Sequence, residues 1–400
     1  MPASESRVKK KAVNVSTFNS TNESRGTSES RPRARTTIRE ATLADYGQIA
    51  ALQIRNGLAV RSRHEWIDLW RDNPARQQTD RAWPIGWVLE TSDGEIVGSI
   101  GNIPLMYQFR GRQLRAATAY GWVVDARYRA YSTWILSRLL KQEAVDLFVF
   151  STVNSNAEPV YSAFGFLRVP VGTWHKSGFW ITNYRGFALS ALRKRSVPLA
   201  RVISYPASGA LFCVDAYRHA NMPFGKSDCE IQQCLDFDSR FDRFWEELKQ
   251  QNEEVLLAVR ARETLVWHFR RAMSQQSTYI LAASEGSRLV AYAIFERQDN
   301  PALGLKRVRL VDFQALHGSE EVLRSVVYWM LQECRRAGIH ILEVMGCWLD
   351  RIKSPRILVP HHRTLPSWAY YYKANDKDLG EALQDPQVWA PSSYDGDASL

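Results

Sequence analysis

Apolar and polar positions along this chain switch repeatedly between a two-residue and a 3.6-residue period. Val145 to Phe150 is a strongly apolar run, broken only by Asp146, of the kind that forms a buried strand. Upstream, Gly121-Trp-Val-Val124 reads as another strand, entering at Arg115 and leaving at Asp125. Between them Ile135, Leu136, Leu139, Leu140 and Ala144 recur at helical spacing. Earlier still, Thr37 to Ala41 predicts a short strand. Thr42 with Asp45 predicts a capped helix start, and Tyr46, Ile49, Ala50, Leu52 and Gln53 continue that helix towards Leu58. Trp87–Glu90 and Glu95–Ile100 flank Ser92-Asp93-Gly94, a hairpin signal, and Phe109-Arg-Gly111-Arg-Gln113 predicts a second hairpin.

The pattern returns in the second half. Tyr279 to Ile294 is again apolar strand, acidic-Gly turn at Glu285-Gly286, apolar strand. Arg307 to Phe313 predicts a strand. Glu320 to Ala337 predicts a helix with Val322, Leu323, Val326, Val327, Met330, Leu331 and Cys334 on one side, and Gly338 to Met345 predicts the next strand.

Candidate chemistry lies in the first half. After the strand ending at Val124 come Arg127-Tyr-Arg129-Ala-Tyr-Ser132 and a helix. A strand, a tight basic loop and a helix start offer backbone N–H groups and a positive dipole end to an anion. After the Val145 strand come Asn154, a short helical segment with Tyr161, and Gly165-Phe166 turning into a strand up to Val171. Together these residues resemble the acyl-CoA site of the GNAT superfamily of N-acyltransferases. The resemblance covers residues 36–175 and implies a mixed-sheet α/β (α+β) fold. It implies contacts to the acyl-CoA from Trp122, Val124, Arg127, Arg129, Ala130, Ser132, Thr133 and Asn154. It also implies Tyr161 as the acid that protonates the leaving thiolate, and a backbone N–H of the strand ending at Val124 as an oxyanion donor. Ser132 and Trp134 depart from the family's loop, Arg/Gln-x-x-Gly-x-Gly/Ala, where small residues stand. No carboxylate emerges as the general base; Asp125 and Glu158 are near in sequence and read as solvated or capping residues.

Residues 206–375 resemble a second GNAT-like copy, as in tandem GNAT and FemAB-type proteins, without the loop and without the Asn…Tyr…Gly-Phe pattern. The expected organisation is a basic tail (1–35), a GNAT domain with the acyl-CoA site (36–175), a connector (176–205), a degenerate GNAT-like domain (206–375) and a C-terminal tail (376–400). One acyl-CoA per chain is expected.

Composition narrows the partners. The net charge of +10 suits an anionic co-substrate. The first 35 residues carry much of it with little apolar content, so they read as disordered and not as a signal peptide. They lack the aromatic interleaving of single-strand binders, so nucleic acid is not expected. No apolar run reaches the roughly 18 residues a membrane span needs. The five cysteines form no C-x-x-C pair, which points to a reducing compartment, the cytoplasm. His361-His362 has no acid or cysteine at ligand spacing, so no metal is expected. The resulting expectation is an acetyl-CoA-dependent N-acetyltransferase acting on an amine of a small metabolite or amino sugar, with surface-polysaccharide synthesis as one setting. The alternatives are FemAB-like aminoacyl transfer to a cell-wall precursor and a non-catalytic scaffold or sensor. The sequence leaves the oligomeric state open.

Overall fold

Two mixed sheets with one shared strand order carry the fold. The computed structural model describes residues 35–78, 83–219, 229–317, 320–345, 359–365 and 368–400; the expected tail lies outside them except for Arg35. In the first sheet the order is β1 (Thr36–Glu40), β2 (Gly86–Thr91), β3 (Ile96–Phe109), β4 (Arg112–Val124), β5 (Leu147–Val153), β15 (Ala369–Ala374) and β6 (Leu167–Arg168), with β9 (Leu257–Ala258) beside β3. In the second it is β8 (Glu230–Cys234), β10 (Thr278–Glu285), β11 (Arg288–Arg297), β12 (Arg307–Ala315), β13 (Ile341–Met345), β7 (Lys176–Ile181) and β14 (His361–Thr364). Both sheets are antiparallel except at one central pair, β4–β5 and β12–β13.

The two sheets also exchange strands. β7 follows the first half of the chain but pairs with β13 and β14, and β15 follows the second half but pairs with β5 and β6. The stretch read as a connector therefore supplies an inner strand of the second sheet, between β13 and β14. The stretch read as a C-terminal tail is also built in: Val388, Trp389, Ser392, Tyr394 and Asp395 are all buried.

Local chemistry explains most boundaries. Asp45 accepts from the Thr42 N–H at 2.7 Å, closing the start that leads into α1 (Tyr46–Arg55). The β3–β4 hairpin turns on Arg110 and Gly111, both at positive φ (49° and 71°), the two-residue geometry that matches strand twist. Helices α1, α2 (Arg63–Arg71) and α4 (Ser132–Leu140) pack against the first sheet through Leu52, Trp66, Trp70, Ile135 and Leu139. Helix α10 (Glu320–Arg336) covers the second sheet through Val326, Val327 and Met330. A third core joins both sheets. It contains Tyr107 and Val149 of the first, Tyr292 and Ile294 of the second, and Phe241 and Phe269 of α8 (Ser239–Gln251) and α9 (Arg262–Ser274). The remaining helices are α3 (Pro74–Gln77), α5 (Glu158–Ala163), α6 (Tyr184–Lys194), α7 (Ala200–His219) and α11 (Lys377–Ala382).

Candidate active site

The parallel pairing of β4 with β5 is brief, Ala116 with Leu147 and Ala117 with Phe148. Beyond it β4 runs on to Val124 with no strand partner on that side among the described residues, so the two strands splay into a cleft. A bulge sharpens the divergence: Ser99 pairs with Val123 and Gly101 with Tyr120, which leaves one extra residue on β4. Gly121 sits in it at φ 58°, and a Cβ there would run into the side-chain amide of Gln53. Gly121→Ala is expected to cost at least about 1–2 kcal/mol, the left-handed penalty for an L side chain. Urea unfolding measures it, and equal stability would show that the bulge accepts a side chain.

The cleft holds about 230 Å³. Ala119, Gly121 and Trp122 of β4 line one side, Phe150, Thr152 and Val153 of β5 the other, with Asn154, Tyr161 and Asp397 also at the wall. Asn154 caps the turn into α5: its Oδ1 accepts from the Ala157 N–H at 3.0 Å. Tyr161 is 5% exposed. Its ring packs against Trp122, Phe150 and Phe166 at centroid distances of 5.6, 5.1 and 5.3 Å. Burial first, and the Asp397 charge second, raise its pKa above the ordinary phenol value. A phenol held neutral in this way donates a hydrogen bond at neutral pH, and passes its proton on only to a base that forms beside it.

Asp397 is the residue that sequence reasoning missed. Its Oδ1 accepts from the Ser151 N–H and Oγ–H, both at 2.8 Å, and its Oδ2 accepts from the Thr152 hydroxyl. These bonds set a carboxylate at the cleft wall opposite β4. The available signal was the apolar character of Val388, Trp389 and Tyr394, which a solvated tail has no use for.

The remaining predicted residues lie after β4. Val124 is buried in the core. The chain enters a 3-10 helix, Ala126–Tyr131, directly from Asp125, with the Tyr128 N–H donating to the Asp125 carbonyl at 2.8 Å. This helix continues into α4, where the Ser132 N–H donates to the Arg129 carbonyl. The helical run therefore begins at Ala126, and its first N–H groups belong to Ala126 and Arg127. Arg129, Ala130, Ser132 and Thr133 fall later in the run. Arg127, Arg129 and Ala130 are exposed, and Trp134 is 62% exposed. Asp125 is committed elsewhere. It forms an ion pair with Arg55 at 2.6 Å and accepts from the Asn56 amide at 2.7 Å. Burial pushes its carboxyl up, but these partners outweigh it and hold the pKa below the ordinary value.

No protein-family model matches this sequence, and no curated protein matches it either. Solved structures do match. A GCN5-related N-acetyltransferase from Anabaena variabilis ATCC 29413 superposes with a TM-score of 0.53 at 11% identity, over 86% of this chain and 73% of that one. The fold is that of the GCN5-related N-acetyltransferases. A second, from Kribbella flavida, gives a TM-score of 0.52 at 10% identity, over 85% of this chain and 71% of that one. Saccharomyces cerevisiae N-myristoyltransferase, solved with bound myristoyl-CoA, gives 0.50 at 8% identity, over 84% and 82%.

Proposed function

We propose that this protein transfers an acyl group, acetyl first, from acyl-CoA to an amine of a small metabolite or amino sugar. One observation carries the reading: the cleft between β4 and β5 has a neutral phenol, Tyr161, and a carboxylate, Asp397, on its walls. The likeness in fold to N-acetyltransferases and to an enzyme solved with myristoyl-CoA supports it. In this reading the thioester enters the splay, where β4 backbone groups without a strand partner receive the carbonyl oxygen. The start of the helical run at Ala126, with Arg127 and Arg129, faces the pyrophosphate.

The acceptor nitrogen must be neutral to attack, and Asp397, directly or through one water, takes the proton it sheds. The C–N bond forms, the C–S bond breaks, and the leaving thiolate takes the Tyr161 proton. The 3-10 turn after Asp125 and the exposed Trp134 favour a second reading, a scaffold that has lost the co-substrate.

Thermal unfolding with acetyl-CoA separates the two. A ligand at 100 times its Kd adds about 2.7 kcal/mol, and no protection would remove the enzymatic reading. In a thiol-release assay with an active acceptor, Tyr161→Phe is expected to lower kcat about 10–10³-fold with acyl-CoA affinity nearly unchanged. Unchanged kcat would strip Tyr161 of its role.

A further inference from the structure

Helix α7 is built inside out. Its two buried positions are polar: Ser204 is 0% exposed and Asp215 is 4% exposed, with Ala207 and Leu211 half-buried on the same side. Asp215 is held by His361 of β14 at 3.0 Å and by the Tyr184 hydroxyl of α6 at 3.1 Å. Its outer side is apolar. Val202, Ile203, Tyr205, Phe212, Val214 and Tyr217 are exposed, with Tyr217 at 91%, and Leu199 just before the helix is at 76%. These positions spread over a broad arc of the helix, and twenty residues make it about 30 Å long. A contiguous apolar surface of this length on a folded chain marks a contact surface.

The chain that leads into α7 carries charge of one sign. From Pro159 to Val214 the chain holds Arg168, Lys176, Arg185, Arg193, Lys194, Arg195 and Arg201 and no acidic residue. Arg193 and Lys194 are exposed in the last turn of α6, Arg195 is exposed at its C-cap, and Arg201 is exposed in the first turn of α7. Arg185 stacks on the Tyr205 ring at 4.0 Å. A basic rim around an exposed aromatic and aliphatic face is the pattern of a helix lying in the plane of an anionic lipid surface. No helix of the described residues is long and apolar enough to cross a membrane, so the contact is in-plane.

We propose that α7 docks this protein on an anionic membrane surface. The apolar side chains enter the headgroup boundary, and Arg193, Lys194, Arg195 and Arg201 pair with lipid phosphates. Charge complementarity selects this occupant over a second copy of the chain. An anionic surface offsets these basic residues, whereas the stretch from Pro159 to Val214 of a second copy offers them no acid.

The test is co-sedimentation of the full chain with vesicles of phosphatidylcholine alone or mixed with phosphatidylglycerol. Binding to the anionic vesicles is expected to be at least about tenfold tighter, a difference of 1.4 kcal/mol. It should weaken in about 1 M salt, where the Debye length falls to about 3 Å. The basic N-terminal residues also attract anionic lipid, so they stay constant in every arm. The deciding variant is Val202→Gln/Phe212→Gln/Tyr217→Gln, which changes no charge and alters only exposed positions; its melting temperature verifies folding. It is expected to lose at least about tenfold in partitioning, again 1.4 kcal/mol. The variant Arg193→Gln/Lys194→Gln/Arg195→Gln should lose the part of the anionic preference that the N-terminal residues and Arg201 do not supply. Equal binding by the apolar variant and the wild type would overturn the proposal. So would a dimer in the absence of lipid that the apolar variant dissociates, which would make this face a self-interface.

Discussion

Asp397→Ala is expected to lower kcat by about 10²–10⁴-fold, the range for loss of a positioned general base. An ordinary alkylamine is protonated at neutral pH and has no lone pair to attack with. The cleft offers one carboxylate among its lining residues, Asp397, against which Ser151 and Thr152 donate. Those bonds fix its direction; Oδ1 already accepts twice, and Oδ2, which accepts from Thr152, keeps a lone pair for the amine or a water. The rival explanation is that Asp397 only pins the C-terminal segment to β5. Asp397→Asn distinguishes the two, because the amide oxygen still accepts from Ser151 while the base is gone. If Asp397 takes the proton, the Asn variant binds acyl-CoA normally and melts normally but loses most of kcat. Asp397→Glu then restores part of the rate. A variant that loses stability, affinity and rate together would reduce Asp397 to a pin. Unchanged kcat would remove it altogether.

The pieces of the fold that sequence reasoning reached are those written in local periodicity. The runs around Gly121, Val145, Ile280 and Val308 are strands, the Ile135 and Val326 stripes are helices, and the turns at Gly94, Gly111 and Gly286 all have positive φ. Tyr161, Asn154 and Trp122 do meet in one cleft. The helix after β4 starts earlier than the basic loop implied. Arg55 and Asn56 of the α1 end seize Asp125, and the chain turns helical at the next residue. Such a grip between residues 55 and 125 has no local trace.

Strand exchange is illegible for the same reason. β7 and β15 read as ordinary apolar segments, and nothing in six residues says which sheet will take them. Ile181 pairs with Ile341, and Tyr372 with Val149. Those partners are chosen by the parallel strands β13 and β5, each of which leaves an edge that an antiparallel strand must fill. The place of Asp397 follows from that exchange. Once β15 lies in the first sheet, the chain after it stays near β5 and returns across both sheets.

What holds that returning segment gives the largest stability effect. Asp312→Ala is expected to destabilise the protein by about 3–5 kcal/mol, because it leaves a buried charge without its main partner. Arg260 and Asp312 are fully buried, and the guanidinium donates to Asp312 at 2.8 and 3.1 Å. Tyr292 and Ser392 also donate to Asp312, at 3.0 and 2.8 Å. Burial pushes the Asp312 carboxyl up, yet the Arg260 charge outweighs it and holds the pKa below the ordinary value. Asp395 is the second anion near Arg260, at 3.4 Å, and burial pushes its pKa up to about 6. With Asp312 gone, Asp395 is left as the nearer counter-charge, which places the loss towards the lower end of the range. Its raised pKa also has a sign: that carboxyl binds its proton more tightly folded than unfolded, so its contribution fades as pH rises through about 6. Urea unfolding of Asp312→Ala, Arg260→Met and the double variant forms the decisive cycle. The double variant removes both charges, so it should lose much less than the sum of the singles. Additive losses, or a single-variant loss below about 1 kcal/mol, would mean that apolar packing of Trp389 and Tyr394 alone holds the segment that carries Asp397 into the cleft.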